Sequence, residues 1–192
     1  MTYLILGLLV FLGVHSVRIV ADDWRTRTIG KSGELPWKAV YSVVSVLGLG
    51  LLVWGFGLAR QQPVQLWSPP TGMRHLAALL TLVSFVLLAA AYVPRNSIKA
   101  RLHHPTVLAV KVWAMAHLVA NGNLAHVLMF GLFLLWSIFD FAAARRRDRS
   151  GVIQYPQGSV GATVITMIVG FGAWLAFALW LHGLLIGVRP FG

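Results

Sequence analysis

Six stretches of this chain stay apolar for close to the length of a membrane-spanning helix, and few folds tolerate that. A bilayer core about 30 Å thick is crossed by roughly 20 helical residues, each advancing the axis about 1.5 Å. Hydrocarbon offers the backbone no water, so a spanning segment has to close its own hydrogen bonds, as a helix does. The candidate spans are 2–21, 37–59, 75–93, 106–120, 123–141 and 160–186. The fourth is short and contains Lys111, so five spans plus a half-helix is the fallback count. The first, MTYLILGLLVFLGVHSVRIV, lacks a basic leader and a small-residue cleavage site, and it reads as a span rather than a signal peptide. Of 192 residues only 11% are charged, where a soluble domain carries about a quarter. The expected fold is all-α, a polytopic transmembrane bundle of about six spans.

A formal net charge of +11 invites a nucleic-acid reading, but the charges are not spread like a nucleic-acid footprint. Arg18, Arg25, Arg27, Lys31, Lys38, Arg95, Lys99, Arg101, Arg145, Arg146, Arg147 and Arg149 fall in connections on one side of the expected membrane. Only Arg60, Arg74 and Arg189 fall on the other. Cytoplasmic loops are the ones enriched in Lys and Arg. The asymmetry therefore predicts both termini outside the cytoplasm, and a multi-pass protein of a bacterial inner membrane. Membrane lipid is the expected partner, and no nucleic acid is needed to explain the charge. All five acids, Asp22, Asp23, Glu34, Asp140 and Asp148, are assigned to the same cytoplasmic side. The connections are shorter than about 20 residues, too short for a core of their own, so 1–192 reads as one membrane domain. The chain has no cysteine, which excludes disulfides, thiolate haem ligation and iron–sulfur clusters.

Within the apolar runs two histidines stand out, His15 and His117. An ionisable side chain inside a span is costly and marks a functional-site candidate, and neutral imidazole is a common metal and haem ligand. By helix rise His15 lies about 9 Å from the cytoplasmic end of its span and His117 about 16 Å from the same side. These depths permit the two to share a haem; for His117, an interhelical hydrogen bond is an equal alternative. Arg18 follows His15 by three residues and shares its face. It can pair with a haem propionate, or simply snorkel to the headgroups. Val110, Trp113, Ala114, His117 and Asn121 form one stripe at helical spacing, where Trp113 can pack on a macrocycle or on its neighbours. Lys111 lies off that stripe and is expected to snorkel. His103 and His104 are expected at a helix entrance, solvated or packed. His75, His126 and His182 share the outer depth, where three imidazoles can bind a metal or a quinol headgroup. Pro105 suits the first turn of a helix, and Asn121-Gly122-Asn123 reads as the turn of a helical hairpin. Tyr3, Trp24, Trp37 and Trp67 fall at expected interfaces, as aromatic anchors do.

The sequence GVHSVR at 13–18 and HPTVLAVKVWAMAHLVANG at 104–122 resembles the NnrU family of bacterial membrane proteins. That family is named from denitrification gene clusters and linked to nitrite and nitric oxide metabolism. It is in turn similar to the 15-cis-zeta-carotene isomerases of plants and cyanobacteria, which use histidine-held haem b to isomerise a polyene. Their glycine-x-histidine-serine motif matches Gly13, His15 and Ser16, and their tryptophan-cysteine-x-alanine-histidine motif falls on Trp113 to His117. Ala114 stands at the cysteine position, so the resemblance does not carry the cysteine-based redox switch. It implies haem b on His15 and His117, with Arg18 and Trp113 beside it, and a haem-dependent isomerase as one possible activity. A non-enzymatic accessory or regulatory role in nitrogen-oxide respiration is the alternative.

His104-Pro105 is also similar to the histidine-proline block of membrane methyltransferases that bind S-adenosylmethionine. Arg101 is displaced from that block, and RRRDRSG at 145–151 lacks the glutamate and tyrosine pattern of that class. Methyl transfer ranks third. The leading expectation is a haem-b protein acting in redox or isomerisation chemistry on a lipophilic small molecule.

Overall fold

The structure, a computed structural model, describes residues 1–151, 153 and 155–191; of the expected domain 1–192, Val152, Gln154 and Gly192 lie outside the described residues. Five helices are long and apolar enough to cross a membrane: α1 (Thr2–Val20), α3 (Glu34–Ala59), α4 (Met73–Tyr92), α7 (Leu124–Ser150) and a last one over Val160–Ile186. That last helix is α8 (Val160–Ala176), a π-helical turn at Phe177–Leu181, and α9 (His182–Ile186). The sixth apolar helix, α6 (Pro105–Ala120), has 16 residues, and Pro105 occupies its first turn where a missing N–H costs nothing. Two short helices were not foreseen. These are α2 (Asp22–Ser32), which packs on α1 and α3, and α5 (Ser97–Leu102), between α4 and α6.

Neighbouring helices pack in the order α3, α1, α7, α6, α4, α8. The apolar core joins α1 (Leu4, Leu8), α3 (Leu52, Ala59), α6 (Ala114) and α7 (Ala125, Met129, Phe130). Outward faces stay apolar and open, as lipid-facing helices do: Val43 is 59% exposed, Val160 80% and Leu184 81%. This is a multi-pass membrane protein.

Between apolar helices in lipid the hydrophobic effect supplies no attraction, and close packing through small residues replaces it. α1 and α3 run antiparallel and meet at glycines. A Cβ on Gly7 would overlap the Leu52 backbone, one on Gly55 the Leu4 backbone, and one on Gly48 would sit 2.8 Å from the Phe11 nitrogen. Polar ties hold the other half. Ser84 Oγ donates to the Ala109 carbonyl at 2.8 Å, Trp174 Nε1 to Thr81 Oγ1 at 3.1 Å, and the Ser97 amide to Thr163 Oγ1 at 2.9 Å. Asn96 is fully buried, with its amide spent on the carbonyls of Ala90 and Val93 and its oxygen on the Lys99 amide.

The expected hairpin turn at Asn121–Asn123 is present and serves a second purpose. The Gly122 carbonyl accepts from the amides of Leu66 (2.8 Å) and Trp67 (3.1 Å), and the Leu124 amide donates to Val64 (2.9 Å). A Cβ at Gly122 would collide with the Trp67 carbonyl. The α3–α4 connection is thereby sewn to the α6–α7 turn. α7 continues to Ser150, past the apolar span ending at 141, because Ala and Arg are good helix formers. The Lys111 ammonium lies 5.0 Å from the centre of the Phe141 ring at the end of that span, a cation–π contact.

Candidate functional site

His15 sits on the last turns of α1, where helix α2 turns back beneath the bundle. Its Nδ1 lies 2.7 Å from the Phe11 carbonyl, four residues earlier. A carbonyl only accepts, so Nδ1 carries the proton and Nε2 keeps its lone pair. The ring packs against Phe11 (4.3 Å between centres), Tyr41 (5.2 Å) and Trp136 (6.2 Å). It opens on a cleft of about 440 Å³ between α1, α2, α3 and α7, with His104 and Val107 of the α6 start at its edge. Arg18 lines the same cleft, so the expected neighbourhood of His15 and Arg18 is formed.

His117 is held the same way. Its Nδ1 lies 2.9 Å from the Trp113 carbonyl, again four residues back, which leaves Nε2 as the open nitrogen. Its ring stacks on Phe130 at 4.3 Å and lies 5.1 Å from Trp113. Asn121, expected as a turn residue, also donates to the His117 carbonyl at 2.9 Å. His117 and Trp113 are not among the residues lining the cleft. A continuous run of ring contacts connects the two histidines: His15 to Phe11, Phe11 to Phe133 (5.9 Å), Phe133 to Trp113 (5.5 Å), and Trp113 to His117.

Each imidazole has Nδ1 fixed by a carbonyl, the outer hydrogen bond that orients metal-binding histidines, and in the neutral ring Nε2 is left with a lone pair. Phe11, Phe133 and Trp113 fill the space between them with apolar rings, and Arg18 offers a guanidinium on the His15 side for a carboxylate. In donor type and polarity these residues are of the kind that hold a haem. Among the described residues, no group of three His, Asp or Glu side chains is placed to hold a bare metal ion.

Sequence reasoning missed three members of the cleft. Tyr41 and Trp136 face His15 from α3 and α7. Trp136 Nε1 is buried and has no hydrogen-bond partner among the described residues, an uncommon condition for a buried donor. Asp140, assigned to the cytoplasmic acids, lines the cleft beside Arg18 and Arg147 of the same side. A signal for it existed: it lies inside the apolar span 123–141, and the rule that singled out His15 applies to it equally.

A second polar cluster closes the same end. His104 Nε2 lies 2.8 Å from Asp148 Oδ2 and Tyr155 donates to Asp148 Oδ1 at 3.1 Å. His103 stacks on Tyr155 at 3.9 Å and accepts from Arg145 at 2.8 Å. His103 Nδ1 also lies 3.5 Å from Asp148 Oδ2. Burial, then the Asp148 carboxylate, push the Tyr155 hydroxyl above its ordinary range. The backbone at His103 takes φ +66°, a region non-glycine residues rarely enter, and this sharp bend brings both histidines onto Asp148. The expected helix-entrance histidines are thus packed and paired.

The outer histidines do not converge. His75 lines a separate hollow of about 290 Å³ with Arg74 and Phe191. His126 bonds Asn123 and packs on Phe56 at 5.0 Å. His182 bonds the Val188 carbonyl at 2.6 Å.

Comparison with known proteins gives one match, a family model described as NnrU protein that covers residues 3–190. No curated protein and no solved structure matches the chain.

Proposed function

The chain belongs to the NnrU family, and from that premise we propose that it binds haem b in a bacterial inner membrane, with His15 and His117 as the iron's nitrogen donors. The observation that carries this reading is the matched state of the two imidazoles. Each is deep in an apolar helix, each has Nδ1 committed to the carbonyl four residues back, and each is left with Nε2 to offer.

A haem held there would supply electron transfer, or isomerisation chemistry on a lipophilic small molecule such as a polyene. The chain's own residues set the conditions. Phe11 and Trp113 carbonyls orient the two donors, Phe133 and Trp113 exclude water, and Arg18 would take a carboxylate on the basic side. A haem held by both histidines would suit electron transfer or sensing more than catalysis on a substrate.

Methyl transfer is the weaker reading for a physical reason. His104 and Asp148, the groups available to grip a cationic methyl donor, are spent on each other at 2.8 Å.

The test is the absorption spectrum of protein purified from haem-replete cells. The expected result is a Soret band with low-spin features in both redox states. His117→Ala and His15→Ala should each turn the spectrum high-spin or release the haem. His75→Ala and His182→Ala should leave it unchanged. Colourless protein would overturn the reading and leave an accessory role without haem. A low-spin spectrum indifferent to His117→Ala would remove that residue from the pair.

A further inference from the structure

Beneath His15 the cleft has a composition that haem ligation does not require. Arg18, Arg25, Lys38 and Arg147 face it, against the carboxylates of Glu34 and Asp140. Two of the cations are committed, Lys38 to Glu34 at 3.1 Å and Arg25 to Asp22 at 3.5 Å. The other two are not. Among the described residues the Arg18 and Arg147 guanidiniums form no ion pair, although Arg147 donates to the Arg18 carbonyl at 3.2 Å. The wall above them is apolar, with Val14, Val17 and Trp37. Trp136 also lines the cleft, with its indole N–H buried beneath the surface and, among the described residues, without an acceptor.

A cleft of about 440 Å³ with a cationic floor and an apolar wall selects by chemistry. A neutral polyene satisfies the wall, but leaves two guanidiniums unanswered. A free inorganic anion answers the cations and wastes the wall. We propose that this cleft binds the acidic head of an amphiphile, a carboxylate or phosphate carried on an alkyl or polyene chain. The head pairs with Arg18 and Arg147, while the chain lies along the apolar wall of Val14, Val17 and Trp37. Guanidinium forks match both oxyanions bidentately. Of the facing acids, Glu34 is already neutralised by Lys38; Asp140, whose charge interacts with Arg147 and Arg18, opposes the anion with one carboxylate against their two guanidiniums.

The proposal goes beyond the haem reading, with which it shares Arg18; Arg147 and the apolar wall need neither iron nor the histidines. Its test is electron paramagnetic resonance on the purified full chain with three spin-labelled probes, stearate, phosphatidylglycerol and zwitterionic phosphatidylcholine. The expected result is about one motionally restricted probe per chain, preferred over phosphatidylcholine for at least one acidic probe. Restriction of stearate alone assigns a free lipophilic acid; restriction of phosphatidylglycerol alone assigns a lipid headgroup. The double variant Arg18→Gln/Arg147→Gln should weaken that component about tenfold, the size expected for lost charge-assisted hydrogen bonds. Arg147→Gln alone removes a guanidinium that the haem reading does not use, and should weaken it several-fold even if the double variant misfolds. Equal restriction of all three probes, or acidic-probe binding unchanged in Arg147→Gln and the folded double variant, would overturn the proposal. Haem content is read from the same samples, so loss of acidic-probe binding in Arg147→Gln with haem retained separates this reading from the haem one.

Discussion

Replacing Gly48 with alanine puts a number on how closely α1 and α3 approach. In a helix interior the change should be favourable, since alanine exceeds glycine in helix propensity by about 1 kcal/mol. Here the new methyl group would lie 2.8 Å from the Phe11 nitrogen and 3.0 Å from both Phe11 Cα and Val10 Cγ1. Two of those atoms are backbone, so relief comes only from moving one helix away from the other. Overpacking of this kind costs about 1–3 kcal/mol. Gly50 on the same helix is the control, for a Cβ there meets nothing within 4 Å. Because the propensity gain is common to both, the difference between Gly48→Ala and Gly50→Ala isolates the packing cost. Equilibrium unfolding in mixed micelles should place Gly48→Ala below Gly50→Ala by about 1–3 kcal/mol. The displaced residue, Phe11, also provides the carbonyl that holds His15 Nδ1, so Gly48→Ala should loosen any ligand at His15 while Gly50→Ala does not. Two variants of equal stability would refute the close glycine packing described above.

Two further outcomes are expected. Asp148→Asn removes the carboxylate that raises the Tyr155 hydroxyl, so the phenol's titration, isolated by subtracting the Tyr155→Phe spectrum, should move down toward its ordinary value of 10.0; an unmoved titration would mean that burial alone sets it. Reporter fusions at the carboxyl terminus should behave as periplasmic and fusions near Gly33 as cytoplasmic, following the basic-loop asymmetry; a cytoplasmic carboxyl terminus would exclude an even number of spans.

The sequence by itself determined the class of fold and the two residues most worth testing. Length and hydropathy of a run are local quantities, and in a bilayer they decide nearly everything about a segment, because unsatisfied backbone is forbidden there. The long spans were readable for that reason, as were the turn at Asn121–Asn123 and Pro105 at a helix start. His15 and His117 stood out on the same ground, being polar where the solvent is oil. Helices α2 and α5 were not readable, since each draws its stability from docking on the bundle rather than from a long apolar run. Only the tertiary structure decided what shares a space with what. Tyr41, Trp136 and Asp140 join His15 because α3 and α7 flank α1, and that adjacency depends on the glycine contacts of one helix pair and the order in which the rest assemble. Asp148 gathers His103, His104 and Tyr155 because α7 runs past its apolar span and the chain bends sharply at His103. Sequence spacing reports which residues share a helix face; which helix that face meets is settled by packing among helices far apart in the chain.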